Sequence, residues 1–363
     1  MKYYIGLLSG TSIDGIDAAI VGFGKNKIKL IETHSKVFSH ELSQQLLNII
    51  NSQSTTLTDM ANIDYQLAYE FSNAVLELLV KAKMDAREIK AIGSHGQTVY
   101  HQPNEDDDKL KKNTIQLGSS HIIAAMTQID VVSNFRNLDM AYAGQGAPLA
   151  PIIHQKLYAK KNDNIAVLNL GGIANISFIG KDYKKIIGFD TGPANCLLDE
   201  WICFHKQCKY DNNGDWARAG GLNKILLDQM LNDSYFLKNH PKSTGREYFN
   251  RKWFDKFKDQ FKITSAVDIQ CTLTHLTAQS IARTLYKNIS TLIVTGGGAH
   301  NCYLLELIQK YSQVKLIIAK NPDWIEAMLF AYLAHRRIKN KRFNLSSITG
   351  SYKKILLGDI TKY

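Results

Sequence analysis

The sequence predicts an α/β protein of two similarly built lobes with an active-site cleft between them. Strand-like segments alternate with helix-like segments along all 363 residues, as they do in α/β proteins. The two halves also open alike, each with a strand, a glycine-containing turn and a return strand. A later segment of the first half, AIGSHGQT, has a counterpart in the second, IVTGGGAHN. We expect residues 1–135 together with 343–363 to form the first lobe, and residues 136–342 the second.

The individual elements follow from the pattern of apolar residues and from the turn residues that interrupt it. Residues 105–113 are charged and lack apolar spacing, so they are expected to form a solvated loop. Strands are expected at 3–8, 16–23, 89–92, 164–170, 175–179, 185–189 and 291–294, and helices at 41–50, 64–83 and 301–310.

The composition excludes several classes of protein. Apolar residues make up 45% of the chain and charged residues 21%, which is ordinary for a soluble domain. No apolar stretch is long enough to cross a bilayer. Turn residues and carboxylates interrupt the apolar run at 3–8, so we expect no targeting segment. Five cysteines without a CxxC pair are expected to be reduced thiols of a cytoplasmic protein.

The net charge of +11 invites a nucleic-acid interpretation. The lysines are spread along the chain, however, and few aromatic side chains stand among them. A solvated basic surface is therefore favoured, and no nucleic-acid partner is expected. Such a surface also suits a polyanionic ligand such as ATP.

The two glycine-containing turns are candidates for phosphate binding. A bound phosphate needs several backbone N–H groups close to it and no side chain in the way, which glycine permits. The run Gly10-Thr11-Ser12 meets this need in the first half, and Gly171-Gly172 meets it in the second. Either turn alone is explained as well by a tight hairpin. Finding both at equivalent places favours phosphate binding.

Two carboxylates follow the first turn and are candidate ligands of Mg²⁺, directly or through water. They are Asp14 and Asp17. The chain contains no GxxxxGK[ST] segment and no GxGxxG after a strand. A P-loop enzyme and a nicotinamide enzyme are therefore not expected.

Asp190 is the candidate catalytic base. It is predicted at the C-terminal end of the strand 185–189, where α/β proteins place functional residues. The alternative is that Asp190 only caps the helix that follows. A site that binds phosphate still needs a base, and this consideration favours the catalytic role.

A second glycine cluster is a candidate for nucleotide binding. Gly296, Gly297 and Gly298 end a predicted strand and precede a helix that begins near Asn301. This arrangement presents free N–H groups and permits close approach of a flat ring or a ribose. An ordinary strand-to-helix connection explains the cluster equally well.

Several polar residues beside predicted strand ends or glycines are candidate substrate ligands, although each alone is more often structural. Glu326 lies near the start of a helix that Asn321 and Pro322 begin. There its charge is also explained by compensation of the helix dipole. The other candidates are His95, Gln97, Asn134, Arg136 and Gln145.

Taken in order, these motifs resemble the anhydro-N-acetylmuramic acid kinase family over nearly the whole chain. The most specific segments are GLLSGTSIDGIDAAIV and GFDTGPANCLLD. One departure is Ala194, where the family pattern has glycine. The other matching segments are GSHGQTVYHQP, QLGSSHIIA, NFRNLDMAYAGQGAPLAP, LNLGGIANIS, STGREYF, VTGGGAHN and NPDWIEAMLFAYLA.

The resemblance implies a two-lobed actin-like fold (acetate/sugar kinase–Hsp70–actin, ribonuclease H-like) and an ATP- and Mg²⁺-dependent enzyme of peptidoglycan recycling. The family hydrolyses the 1,6-anhydro ring of anhydro-N-acetylmuramic acid and phosphorylates O6, which gives Asp190 the task of deprotonating water. Substrate contacts are carried over onto Gln97, Arg136 and Glu326. Members are typically dimeric, so a homodimer is an expectation from the resemblance alone. The nucleotide loop maps onto Gly10, Thr11, Ser12, Ile13, Asp14, Gly15, Ile16 and Asp17.

Two alternatives remain open at this point. One is a kinase of the same fold that acts on another sugar or on a carboxylic acid. The other is an ATPase module in which nucleotide drives motion for a partner, although the chain has no separate peptide-binding domain.

Overall fold

The computed structural model describes residues 1–10, 13, 15–25, 27–103, 111–159, 163–180, 186–246 and 248–363. It divides into two units. Unit 1 contains Met1–Ile153 and Trp324–Tyr363, and unit 2 contains His154–Asp323. The division differs from the sequence-based boundaries, because residues 136–153 and 324–342 belong to unit 1.

The strands include most of those predicted, with small differences at their ends. The predicted loop at 105–113 lies largely outside the described residues, and Asn113 already begins a strand. The strands are β1 Lys2–Leu8, β2 Gly15–Phe23, β3 Ile28–Val37, β4 Ile89–Ser94, β5 Gln97–Gln102, β6 Asn113–Leu117, β7 Val131–Ser133, β8 Ile165–Leu170, β9 Ile173–Ile179, β10 Ile187–Pro193, β11 Thr291–Thr295, β12 Lys315–Ile318, β13 Phe343–Asn344, β14 Lys354–Ile355 and β15 Asp359–Thr361.

Side-chain caps define where the long helices begin. The hydroxyl of Ser39 accepts a hydrogen bond from the Leu42 N–H at 3.2 Å, and that of Thr56 accepts from the Asp59 N–H at 3.0 Å, as N-caps do. The helices are α1 His40–Ser52, α2 Leu57–Ala82, α3 Ser120–Thr127, α4 Asn137–Ala141, α5 Ala150–Tyr158, α6 Asn195–Lys206, α7 Asp215–Arg218, α8 Lys224–Leu231, α9 Ser234–Leu237, α10 Arg251–Asp255, α11 Lys258–Lys262, α12 Ala266–Ala282, α13 Cys302–Ser312 and α14 Ile325–Ile338.

Each unit is built on a mixed sheet, and five strands follow the same order in both, with β15 added at the edge of the unit 1 sheet. The order is β3-β2-β1-β4-β7-β15 in unit 1 and β10-β9-β8-β11-β12 in unit 2. In both sheets the first three strands along the chain are antiparallel neighbours, and the next two run parallel to the first. This is the ribonuclease H-like arrangement, present twice. The predicted α/β class is confirmed, and the repeat seen in the sequence corresponds to the two sheets.

Two features of the chain as a whole are its helix lengths relative to a membrane and the state of its cysteines. Within the described ranges, no helix combines the length and apolar character needed to span a lipid bilayer. The cysteines are free thiols, of which Cys196 and Cys271 are buried whereas Cys203, Cys208 and Cys302 are exposed.

Helix α14 packs so closely on the sheet of unit 1 that its partner strands need glycine. A Cβ added at Gly6 on β1 would overlap the backbone carbonyl of Ala327, and one at Gly93 on β4 would overlap that of Phe330. The helix therefore lies directly on the backbone of both strands. This contact explains why residues 324–342 belong to unit 1 although they follow unit 2 in the chain.

We predict that Gly6→Ala lowers the free energy of unfolding of unit 1 by roughly 1–3 kcal/mol or more, because α14 must shift to accommodate the methyl group. Gly24→Ala is the matched control, since the nearest atom to a Cβ at the exposed Gly24 lies 3.8 Å away. Urea unfolding followed by circular dichroism measures both variants. Equal midpoints for the two would contradict the close packing of α14.

Candidate active site

Asp190 lies inside strand β10 of unit 2, and not at its end as the sequence predicts. The strand continues to Pro193, and its pairing with β9 shifts register between Asp190 and Gly192. Such β-bulges re-aim side chains and are frequent beside active sites. The predicted strand ends too early because Gly192 and Pro193 resemble a turn.

The carboxylate of Asp190 is positioned by a segment about fifty residues further along the chain. The backbone N–H of Thr244 donates to Oδ2 at 3.0 Å, and the N–H of Asp190 donates to the carbonyl of Lys242 at 3.1 Å. The hydroxyl of Tyr235 donates to the Asp190 carbonyl at 2.8 Å. Only 6% of Asp190 is exposed.

Asp190 does not serve as a helix cap. The N-cap position of α6 is Ala194, which makes no side-chain capping bond. Helix capping therefore does not explain why Asp190 is buried beside Thr244.

A buried amine lies close to this carboxylate. Lys242 is 6% exposed, and its Nζ donates to the Tyr235 carbonyl at 3.3 Å and lies over the rings of Phe189 and Tyr235. Burial lowers the pKa of Lys242, whereas the charge of Asp190 raises it. The reciprocal effect is that the ammonium group favours the ionised form of Asp190, the form that a general base needs.

Asp190 belongs to a row of polar side chains that crosses the sheet of unit 2. Its cross-strand partner is Asn175, which pairs in turn with Asn169, and Asn169 pairs with Thr295. The Thr295 hydroxyl donates to Asn169 Oδ1 at 3.2 Å. The buried Oδ1 of Asn175 has no hydrogen-bond partner among the described residues. Buried amide oxygens are normally satisfied, so this atom marks a place where a ligand or water is expected.

The predicted turn Gly171-Gly172 joins β8 to β9 and is fixed by the start of α6. The N–H of Asn195 donates to the Gly171 carbonyl at 3.1 Å, and the N–H groups of Ala194 and Cys196 both donate to the Gly172 carbonyl at 3.0 Å. Because the C=O and N–H of a trans peptide point in opposite directions, the Gly172 N–H points away from α6. The turn thus offers backbone donors, as a phosphate site requires.

The glycine cluster after β11 combines tight packing with an open face. A Cβ at Gly296 would lie 2.6 Å from Asn169 Oδ1, and one at Gly298 would lie 2.6 Å from Leu170 Cβ. At the exposed Gly297 it would meet no atom within 4 Å. Gly296 and Gly298 are therefore needed for packing, whereas Gly297 leaves the backbone accessible. Asn301 caps α13, with Oδ1 accepting from the Leu304 N–H at 3.0 Å, so a nucleotide contact would use its Nδ2.

In unit 1, the half-buried Arg136 is hydrogen-bonded to the buried His95. His95 Nδ1 lies 3.0 Å from the Gly96 carbonyl, which can only accept. Nδ1 therefore carries the proton, and Nε2 accepts from Arg136 Nε at 3.0 Å. Burial, and then the Arg136 charge, hold the pKa of His95 well below its usual value. Arg136 Nη1 also donates to the Gly146 carbonyl at 2.9 Å, which fixes the guanidinium.

Gln97 is the first residue of β5, two residues after His95 in the chain. Nε2 donates to the Thr98 carbonyl at 3.1 Å, but the buried Oε1 has no partner among the described residues. The buried hydroxyl oxygens of Ser9 and Ser94 also have no hydrogen-bond partner among the described residues. Ser9 N–H reaches the Gly96 carbonyl at 3.5 Å, so these atoms lie around one junction, at the ends of β1 and β4. They are the donors and acceptors that a polar ligand would use.

Only part of the first glycine-containing turn is described. Thr11, Ser12 and Asp14 lie outside the described residues. Ile13 and Ile16 bury their side chains in the core of unit 1, so any contact of theirs with a nucleotide would come from the backbone. The Ile13 N–H donates to the Gly10 carbonyl at 3.3 Å, and Gly15 packs against the Lys36 carbonyl of β3.

Two further candidates lie on regular elements of unit 1. Asp17 on β2 accepts a hydrogen bond from the hydroxyl of Ser35 at 2.6 Å. Glu326 is the second residue of α14 and is half-buried. In the described part of the chain, no three His, Cys, Asp or Glu side chains cluster as metal ligands. A metal here would therefore depend on few carboxylates, as Mg²⁺ bound to a nucleotide does.

Comparison with known proteins places the chain in a family. The model of the family described as anhydro-N-acetylmuramic acid kinase matches residues 2–363. Relatives of that name are 42% identical over 98% of both chains in Sulfurovum sp. (strain NBC37-1) and 43% identical over 98% of this chain and 96% of the other in Coxiella burnetii (strain Dugway 5J108-111). The protein belongs to the anhydro-N-acetylmuramic acid kinase family.

A solved structure of component A of the (R)-2-hydroxyglutaryl-CoA dehydratase from Acidaminococcus fermentans is 10% identical to this chain. It has a TM-score of 0.48 and covers 91% of this chain and 96% of that one. The similarity is too low to bear on function.

The residues around Asp190 that sequence reasoning missed are Lys242 and Thr244. Lys242 directly precedes STGREYF, and Thr244 is its second residue. This segment carries part of the family resemblance, but no role is predicted for it from the sequence. A run of small hydroxyl residues ending in Gly-Arg was the available signal. Nothing local to it indicates that it lies beside Asp190, because tertiary folding creates that contact.

We predict that Gly297→Val raises the KM for ATP at least about tenfold, because a side chain would occupy the open face of the cluster, while the melting temperature stays close to that of the wild type. Gly298→Ala is the comparison, since its methyl group would collide with Leu170 and lower the melting temperature. An unchanged KM for ATP in Gly297→Val would exclude Gly297 from the nucleotide site.

We predict that Lys242→Met moves the acidic limb of the pH profile of kcat/KM upward by roughly one pH unit. Asp190 loses a neighbouring cation that favours its ionised form, so a higher pH is needed to ionise the base. Lys252→Met is the control, because Lys252 on α10 is exposed and is not among the charges that act on Lys242. Coincident acidic limbs for Lys242→Met and the wild type would show that the amine does not act on the base.

Proposed function

We propose that this protein is an ATP-dependent kinase that hydrolytically opens 1,6-anhydro-N-acetylmuramic acid and phosphorylates its O6, which yields N-acetylmuramic acid 6-phosphate in cell-wall recycling. Family membership over residues 2–363 supports the reaction. The observation that carries the assignment to residues is the buried Asp190, held by the Thr244 N–H on the strand next to the turn Gly171-Gly172.

Asp190 is the proposed general base. It accepts a proton from water as the water oxygen attacks C1, the C1–O6 bond breaks, and O6 takes the γ-phosphoryl group of ATP. A glycosidase usually needs a second carboxyl group to protonate the departing oxygen. Here phosphorylation of O6 replaces that proton, so one carboxylate is sufficient. The Thr244 N–H orients Asp190, and the Lys242 ammonium keeps it ionised.

The nucleotide contacts are proposed to come from three glycine-containing segments: residues 10–17, Gly171-Gly172, and the cluster Gly296–Gly298 with Asn301. Bound ATP with Mg²⁺ supplies the phosphoryl group and neutralises charge on its oxygens. Asp17, and Asp14 by sequence, would hold the metal directly or through water. Backbone N–H groups of the glycines stabilise the phosphates where a side chain would block them.

The sugar contacts are proposed to come from Gln97, Arg136 and Glu326. Gln97 Oε1 has an unused acceptor position among the described residues, which suits a sugar hydroxyl. Arg136 is already aligned by His95 and Gly146, so it would bind a polar group with little loss of side-chain entropy.

We predict that Asp190→Asn lowers kcat by roughly 10²–10⁴-fold, because asparagine can accept the Thr244 N–H but cannot take a proton. The Kd for ATP should stay close to that of the wild type. Asp323→Asn is the control, since Asp323 is partly exposed and pairs with His300 at 3.0 Å. A kcat within a few fold of the wild type in Asp190→Asn would remove Asp190 from the base role.

The decisive assay is product analysis with ATP, Mg²⁺ and the anhydro sugar in ¹⁸O-labelled water, and the proposed reaction places the label at C1 of the 6-phosphate. A phosphorylated product without label would contradict ring hydrolysis. Turnover of a different sugar or acid alone would favour another kinase activity, and ADP formation that no sugar affects would favour an ATPase module.

A further inference from the structure

The segment Lys242–Arg246 follows α9 with irregular backbone and runs along Asp190. Its two backbone contacts, from Asp190 N–H to the Lys242 carbonyl at 3.1 Å and from Thr244 N–H to Asp190 Oδ2 at 3.0 Å, place it against the carboxylate. Whatever binds at Asp190 therefore meets this segment.

Three polar atoms in this short segment are buried without a hydrogen-bond partner among the described residues. They are Ser243 Oγ, Thr244 Oγ1 and Arg246 Nε, and Ser243 as a whole is only 8% exposed. Folded proteins leave few such atoms unsatisfied. Three of them within four residues, next to a buried carboxylate, indicate a ligand that supplies the missing partners.

The chemistry of the three groups defines that ligand. Hydroxyls both donate and accept, which suits a polyhydroxylated compound, whereas a guanidinium only donates and binds carboxylates through paired hydrogen bonds. Arg246 lies near the half-buried Glu200 of α6, where burial raises the pKa of Glu200 and the charges of Arg251 and then Arg246 lower it. No salt bridge joins the two side chains in the described part of the chain. The arginine is therefore positioned to pair with an incoming carboxylate.

We propose that the segment Lys242–Arg246 is the specificity element for an acidic sugar, in which Arg246 binds the carboxylate of the substrate's lactyl ether substituent and the hydroxyls of Ser243 and Thr244 bind its neighbouring oxygens. This inference rests on the proposed function. It also links recognition to chemistry, since Thr244 presents its hydroxyl to the ligand and its N–H to the base.

The first test compares kcat/KM for 1,6-anhydro-N-acetylmuramic acid with that for 1,6-anhydro-N-acetylglucosamine, which lacks the lactyl group. In Arg246→Gln we expect roughly a 100-fold loss on the acid and less than about a 3-fold loss on the neutral sugar. Arg246→Lys should recover part of the activity on the acid, because it keeps the charge. Arg251→Gln is the control, since its guanidinium lies over Phe204 nearby.

Equal losses on both sugars in Arg246→Gln would overturn the proposal. If the neutral sugar is too poor a substrate to measure, the comparison of Lys with Gln at position 246 on the acid decides, and equal activities overturn it. A wild-type enzyme that phosphorylates neither sugar would instead overturn the proposed function. The two failures are therefore distinguishable.

The second test uses Ser243→Ala and Thr244→Val, which remove only the hydroxyls and keep the Thr244 N–H that holds Asp190. A purely structural segment should gain or keep stability when an unsatisfied buried hydroxyl is deleted, and its KM should not change. Recognition predicts an unchanged or higher melting temperature together with a KM for the acidic sugar raised roughly 5- to 30-fold. An unchanged KM in both variants would exclude the hydroxyls from the site.

Discussion

The position of Asp190 depends on how the outer edge of strand β10 is covered. This strand is the last in the sheet of unit 2, so without a neighbour its backbone would face solvent and its bulge would be free to rearrange. The backbone of Lys242 and Thr244 takes the place of that neighbour. It accepts the Asp190 N–H and donates to the carboxylate, so main chain and side chain are fixed by one segment. The geometry of Asp190, the proposed base, is therefore set by a contact distant in sequence, and it is lost if that segment moves.

The same segment sets the electrostatics. A buried lysine is costly because its ammonium group loses hydration, and that cost lowers the pKa of Lys242. A neutral apolar residue would fit between the rings of Phe189 and Tyr235 without that cost. What the amine supplies is a cation near Asp190, in a place where bulk water cannot screen it. Unit 2 thus accepts a local loss of stability beside its carboxylate, and perturbed ionisable groups of this kind mark candidate functional sites.

Local patterns predicted the sheets and their turns, but not the contacts that make the site. The strands β1, β2, β8 and β9 follow from alternating and continuous apolar runs that end at glycines, because those signals lie within a few residues of each other. Asp190 was assigned to a strand end, since a bulge is not visible in the residues that form it. The role of Thr244 and the return of α14 to unit 1 depend on pairings across fifty or more residues. The turn at Gly10 and the glycines at 296–298 could be named as candidates because phosphate and nucleotide sites need exposed backbone, which is a local property, and their binding role stays a prediction.

The repeated sheet also explains how one topology provides two kinds of surface. The connection after the fourth strand of the unit 1 sheet contains His95 and leads into Gln97, the first residue of β5. Both side chains are buried; His95 is hydrogen-bonded, and Gln97 Oε1 has no partner among the described residues. The equivalent connection of unit 2, after β11, carries Gly297, where a Cβ would meet no atom within 4 Å. Side chains in fixed orientations distinguish small polar ligands by their hydrogen bonds, whereas bare backbone admits a larger ligand without selecting its substituents. The two equivalent loops therefore differ in character: the one in unit 1 presents fixed polar side chains, as proposed for the sugar contacts, and the one in unit 2 presents open backbone, as proposed for the nucleotide contacts.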